Sequence, residues 1–359
     1  MLAVMTAYKF EIACSIGAAR WVGAIAVLAG MLVASGSAAR GAESATVFMY
    51  YRFGDQTHPA SNIATDRFEA HIKEFTNGKT NPLGLPEIIS ALRSRKPLPE
   101  RTIGISIDDA FESVYLEAWP RLEAAGLPFT LFVTTELIER DAPGYMTWDQ
   151  IRELARGGVT IGSQSASRLH MAGSSLERVA ADIEKSNARF EKELGKRPEL
   201  FAYPYGEASA EVRKYIIKAG FSAAFGQHSG VLHSDVDFHF LPRFAMNETF
   251  GDMTRLRRAV NALPLRVREI TPADPKLSPA GNPPSYGFTV FGDALKDIKA
   301  LNCYAWGQGK TRVERLGSGR IEIRLGRKFP PGRARINCTI PAGGGKWRWF
   351  GMQFYIPRS

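Results

Sequence analysis

From Ala45 onward the chain alternates short β-branched or aromatic runs with helical patterns, and this alternation narrows the choice of fold more than anything else in the sequence. Residues 45–50, 101–107, 129–133, 159–161, 200–202 and 221–225 read as strands. Between them, Thr147 with Gln150 spells a capping box, Ser175 opens a long helix that Gly195 stops, and a further helix covers about 209–220. Consecutive strands joined by helices run parallel, because a parallel pair needs a crossover connection. The expectation is an α/β barrel or a doubly wound sheet.

The alternation stops near Ile270, where Thr-Pro-Ala-Asp-Pro-Lys-Leu-Ser-Pro-Ala-Gly-Asn-Pro-Pro reads as a linker. Beyond it Arg320-Ile-Glu-Ile-Arg-Leu325 alternates strictly, 333–340 is strand-like, and 347–356 is rich in aromatics, with Gly- and Pro-rich turns between. This predicts a small antiparallel β domain. The expected layout is a signal peptide over 1–42, an α/β domain over 43–269, a Pro-rich linker over 270–284 and a basic β domain over 285–359.

The leader expectation rests on order: Lys9 and Arg20, then an apolar run from Trp21 to Ala34, then small residues to Ala39. That run is shorter than the roughly 20 residues a spanning helix prefers, so a cleaved leader is favoured over an anchor. The protein is expected in the periplasm or outside the cell. Cys14 would leave with the leader, so Cys303 and Cys338 remain, and an oxidising compartment permits a bridge that sequence alone leaves open. The net charge of +10 is carried by the C-terminal part, where residues 281–359 hold 14 Lys and Arg against 4 Asp and Glu. Lys346-Trp-Arg-Trp-Phe350 interleaves cations with aromatics. Export argues against nucleic acid as the partner, and an acidic glycan or an anionic envelope surface fits better. The plainer expectation for this segment is that Trp347, Trp349 and Phe354 point into the sandwich core.

The chemistry gathers in three places. In Ile105-Ser-Ile-Asp-Asp-Ala-Phe111 an apolar strand runs into two acids, and the carboxyl end of a parallel strand is where α/β folds assemble active sites. One acid of such a pair can bind a cation while the other acts as a base, or Asp109 can simply cap the next helix. Further along come Ile161-Gly-Ser-Gln-Ser-Ala-Ser-Arg-Leu-His170 and Phe201-Ala-Tyr-Pro-Tyr-Gly206.

These three segments, in this order, resemble the Thr-Phe-Asp-Asp-Gly, Ile-Gly-Ser-His-Thr-x-Ser-His-x-His and Phe-x-Tyr-Pro-Tyr-Gly elements of NodB-type polysaccharide deacetylases (carbohydrate esterase family four). The resemblance spans residues 46 to about 245. It implies a distorted (β/α) barrel that uses a divalent metal, zinc, to hydrolyse the N-acetyl amide of N-acetylglucosamine polymers such as chitooligosaccharide, poly-N-acetylglucosamine or peptidoglycan. Asp108 would be the base, Asp109 a metal ligand, and Tyr203, Pro204 and Tyr205 part of the substrate cleft, with the Tyr205 N–H stabilising the oxyanion. His233, ahead of His228, would be the acid that protonates the leaving amine. The two histidine ligands fall on Gln164 and Arg168, which are read instead as substrate-side residues. Gln offers a weak carbonyl oxygen, and Arg has no lone pair and repels cations. Three arrangements follow: a weak metal site from Asp109, His170 and water; an ion pair of Arg168 with Asp108 or Asp109; or a cleft that binds acylated sugar without hydrolysing it. The alternative to an impaired deacetylase is thus a non-catalytic glycan-binding protein of the envelope.

Overall fold

The computed structural model describes residues 42–358. The leader expected over 1–42 lies outside them, apart from Ala42, which bridges to Leu98.

Six strands lie side by side in chain order, all parallel: β1 Ser44–Tyr50, β2 Thr102–Asp108, β3 Thr130–Val133, β4 Thr160–Ser163, β5 Leu200–Ala202 and β6 Ala223–Phe225. On the outer side of β1, β7 Leu232–His233 adds antiparallel and β8 Phe244–Ala245 adds parallel. A bridge from Phe225 to Leu241 links the far end of the sheet to the segment between β7 and β8. The sheet is therefore curled into a half-barrel, one of the two α/β forms that the alternation leaves open and the distorted (β/α) barrel that the resemblance implies. β2 is buried along its whole length, as expected of a strand covered on both faces.

The helices start and stop where their side chains dictate. Thr147 and Gln150 exchange both bonds of a capping box ahead of α1 Trp148–Arg156. Ser175 caps α2 Leu176–Leu194, which ends on Gly195 in the left-handed region, φ 73°. Ser209 caps α3 Ala210–Lys218. Each such cap contributes about 1 kcal/mol.

Two sheets follow. Strands β9 Val267–Thr271, β10 Tyr286–Val290, β11 Asn302–Ala305, β12 Arg312–Leu316, β13 Arg320–Arg324, β14 Gly332–Pro341 and β15 Trp347–Ile356 divide into β9-β10-β13-β12 and β15-β14-β11, antiparallel throughout. Short segments at 263–264 and 309–310 extend the second sheet at its edges. Cys303 and Cys338 sit directly opposite each other on β11 and β14 and form a disulfide.

The proline-rich segment is packed along its course. Asp274 accepts from the Ala210 N–H, the Ala273 carbonyl accepts from Arg213, and Pro275 and Leu277 bond the backbone of Tyr355. One apolar cluster joins Phe201, Tyr203 and Val212 of the half-barrel to Tyr286, Ile336 and Phe354 of the sheets.

The tryptophans depart from expectation for a reason of phase. Side chains alternate faces along a strand, so Trp347 and Trp349 cannot share a face with Phe354. Phe354 is buried in the sandwich, while Trp349 turns the other way and meets Phe244 of the half-barrel edge to face at 5.1 Å.

Candidate functional site

The register of the parallel strands brings five carboxyl ends to one level: Ile107 pairs with Tyr50, Asp108 with Phe132, Val133 with Ser163, and Ser163 with Phe201. Tyr51, Asp108, Asp109, Gln164 and the Tyr203–Tyr205 turn therefore gather at one mouth.

Asp108 ends β2 with its carboxylate sealed from solvent. Arg243, equally sealed, grips it with both terminal nitrogens, Nη1 to Oδ1 at 2.6 Å and Nη2 to Oδ2 at 2.9 Å. The same guanidinium donates to Ser106 Oγ and the Gly226 carbonyl and stands over the adjacent Phe132 and Phe225 rings, 5.4 and 5.7 Å from their centroids. Gln164 Nε2 reaches Asp108 Oδ2 at 3.3 Å. A charge pair this deep is costly to break, because either partner alone is an uncompensated ion.

Asp109 adopts φ 75°, which turns it off the strand. Its N–H donates to the Phe132 carbonyl and to Gln164 Oε1 at 3.1 Å. Arg168 Nη2 donates to Asp109 Oδ2 at 2.7 Å, while Asp109 Oδ1 is buried with no partner. Burial pushes the Asp109 carboxyl up to about 7, against the pull of Arg168 and with the push of Asp108. Burial also opposes the Arg168 charge, yet Asp109, Tyr205, Tyr145 and Tyr51 hold it above the usual arginine value. Arg168 is itself left-handed, φ 60°, as is Ser165, φ 69°. Asp182 fixes that loop from below by accepting from the N–H groups of Ala166 and Ser167.

Tyr205, at φ 59°, stacks on His170 with ring centroids 4.2 Å apart and planes 6° from parallel. The Arg168 guanidinium stands over the same ring. Gly206 follows at φ 69°, where a Cβ would come within 2.6 Å of the Gln227 nitrogen, so only glycine fits the turn. His170 turns away from the carboxylates and bonds Glu207 Oε2 through Nδ1 at 2.9 Å.

The structure thus brings Asp108, Asp109, Gln164, Arg168 and Tyr205 together. It does not bring the Tyr203 side chain or His233 to them. Tyr203 is buried against Phe201 and Phe240 and donates its hydroxyl to the His239 carbonyl. Pro204 is buried in the same turn. His233 pairs with Ser44 at the opposite end of β1, about 20 Å from the mouth at roughly 3.3 Å per strand residue. His228 is buried against Phe240, and burial takes it down to about 3. Arg243 is the residue that sequence reasoning missed; its signal is a lone cation inside the apolar Phe240-Leu-Pro-Arg-Phe244.

The donors present do not suit zinc. Arg168 occupies the open side of Asp109, Gln164 Oε1 is engaged by the Asp109 N–H, and His170 serves Glu207. Among the described residues no group of three His, Cys, Asp or Glu side chains is placed to hold a metal ion.

Residues 95–224 match the family model described as polysaccharide deacetylase. A Bacillus subtilis (strain 168) protein named as a polysaccharide deacetylase is 24% identical over 181 residues, covering 50% of this chain and 64% of its own. The poly-β-1,6-N-acetyl-D-glucosamine N-deacetylase of Escherichia coli (strain K12) is 26% identical over 196 residues, covering 43% of this chain and 29% of its own. The chain thus spans less than two thirds of both relatives. The Streptococcus pyogenes deacetylase PplD, solved with acetate, superposes with a TM-score of 0.56 at 17% identity over 60% of this chain and 98% of that one, a likeness of fold. Three ordered motifs meet at one mouth of the half-barrel, and all three fall inside residues 95–224, the stretch that matches the polysaccharide deacetylase family model.

Proposed function

We propose that the protein is directed at N-acetylated glucosamine polymers and that its hydrolysis of the N-acetyl amide is strongly impaired, because a guanidinium stands where the family places a metal ion. The observation that carries this reading is the 2.7 Å pair between Arg168 and buried Asp109. A fixed cation at that position can still attract an amide carbonyl or an acetyl oxygen, but it cannot ionise a bound water as a Lewis acid does. Asp108, the base that the resemblance implies, faces Arg243 and Gln164 rather than a water-activating centre.

A second reading, a cleft that binds glycan without cutting it, is favoured by one further observation. His233, assigned the role of acid, stands at the far end of β1, so nothing assigned here protonates a leaving amine. Export accords with the Cys303–Cys338 disulfide, which oxidising compartments sustain, and with the charge pattern of the first residues. The surplus of cations in the C-terminal sheets suits an acidic glycan or an anionic envelope surface.

The test compares the mature chain with a Gln164→His, Arg168→His double variant. Bound zinc is measured by mass spectrometry and acetate release on an acetylated glucosamine oligomer. The double variant should hold stoichiometric zinc and release acetate about 100-fold faster or more, as a few kcal/mol of Lewis-acid assistance implies. Tight zinc and full turnover in the unmodified chain would overturn the proposal.

A further inference from the structure

The outer face of β14 carries Arg333, Arg335 and Asn337, because Ala334, Ile336 and Cys338 point into the sandwich. That face does not look out to bulk solvent alone. Opposite Arg335 in the register stands Gln353 of β15, which is buried, and the two are bonded, Arg335 Nε to Gln353 Oε1 at 2.8 Å. Gln353 Nε2 in turn donates to the Tyr205 carbonyl at 3.0 Å, and Arg333 Nη1 reaches the same oxygen at 3.5 Å. Two hydrogen bonds thus tie Arg335 to the aromatic residue that floors the candidate site. The C-terminal sheet thus borders the candidate site on its Tyr205 side.

The three cations around Tyr205 differ in their partners. Arg168 is paired with Asp109, and Arg333 Nε lies 3.8 Å from Glu207, which also serves His170. Arg335 has no carboxylate partner among the described residues. Its terminal nitrogens meet no acceptor there, and they are not enclosed. It is also half-buried, and it lies close enough to Tyr51 and His228 to act on their charge states. A guanidinium with both terminal nitrogens unused, held in place by Gln353 beside the candidate site, is a ready fork for a planar oxyanion.

We propose that Arg335, with Arg333 beside it, forms a subsite for a carboxylate borne by the glycan, so that this cleft prefers an N-acetylated polymer with acidic sugars over a neutral one. The subsite rests on the reading that the cleft takes N-acetylated glycan, and it narrows that reading to one class of polymer. It also gives part of the C-terminal cationic surplus a defined place, next to the acetamido site.

The experiment titrates the mature chain with two probes of equal length. One is a neutral N-acetylglucosamine oligomer; the other alternates N-acetylglucosamine with N-acetylmuramic acid, whose lactyl group carries the carboxylate. The expected result is about tenfold tighter binding of the acidic oligomer, a preference that shrinks in high salt. Arg335→Gln should bring the acidic affinity down to that of the neutral oligomer and so abolish the preference, and Arg335→Lys should restore part of it. Equal binding of both oligomers by the unmodified chain overturns the subsite and leaves the glycan reading standing. Failure to bind either overturns both. Equal loss on both oligomers in Arg335→Gln, with Arg335→Lys no better, assigns Arg335 to structure alone and also overturns the subsite.

Discussion

Asp109 is a carboxylate held partly against its will. Its folded pKa near 7 exceeds the ordinary aspartate value of 3.8, so folding takes up a proton in the window between them. The stability that this uptake supplies is complete below about pH 4 and is lost as pH rises to about 7. An Asp109→Asn variant should therefore gain on the unmodified chain across that window, since asparagine keeps the shape, tolerates φ 75° and does not titrate. Thermal melts at pH 4.5 and 7.5 check it, and a stability difference that ignores pH would show that Arg168 holds Asp109 charged throughout. At this scale the sequence was partly legible. Gln164 and Arg168 stood out because a motif fixed where ligands ought to be, and an ion pair of Arg168 with one of the two acids was among the arrangements it allowed. Arg243 did not stand out, because a counter-ion separated by 135 residues from its partner leaves no periodic trace in the chain. The choice of His233 over His228 failed to reach the site because strand register, which sends β7 antiparallel to the base of β1, is not written in local residue types.

Among the elements, the most readable were those whose ends are set by their own side chains. The Thr147 capping box, the Ser175 cap and the Gly195 stop each satisfy backbone groups within a few residues, so spacing alone predicts them. The phase of β15 was harder. Its aromatics occur on both faces, so composition could not say that Trp349 packs on Phe244 while Phe354 fills the sandwich. The β11–β14 pairing was likewise invisible until register set Cys303 against Cys338. That link closes a loop with a sequence separation of 35. In the chain-entropy view it stabilises the fold by about 4 kcal/mol. A Cys303→Ser, Cys338→Ser variant should lower the urea midpoint accordingly, and reducing agent should do the same to the unmodified chain. An unchanged midpoint would mean that the sandwich core alone holds these strands.

For the molecule as a whole, composition and the proline run suggest an α/β domain, a linker and a β domain, and one apolar cluster runs across them from Phe201 and Tyr203 into Tyr286, Ile336 and Phe354. Such continuity cannot be read from a linear pattern, because each segment looks the same whether it covers its own domain or its neighbour's. Removing residues 285–359 should therefore do more than take away the cationic surface. It should bare apolar surface on the half-barrel and broaden or abolish cooperative unfolding, as followed by circular dichroism and light scattering. A soluble fragment with an unchanged melting point would refute that.

The Asp108–Arg243 pair also sets an order of events during synthesis. Asp108 emerges 135 residues ahead of the arginine that will neutralise it, and the stretch matched to the family, 95–224, ends before that arginine appears. Until Arg243 arrives, burying the end of β2 would strand a bare carboxylate at a cost of several kcal/mol. The charged form of Asp108 can be enclosed at the end of β2 only once Arg243 is there to pair with it.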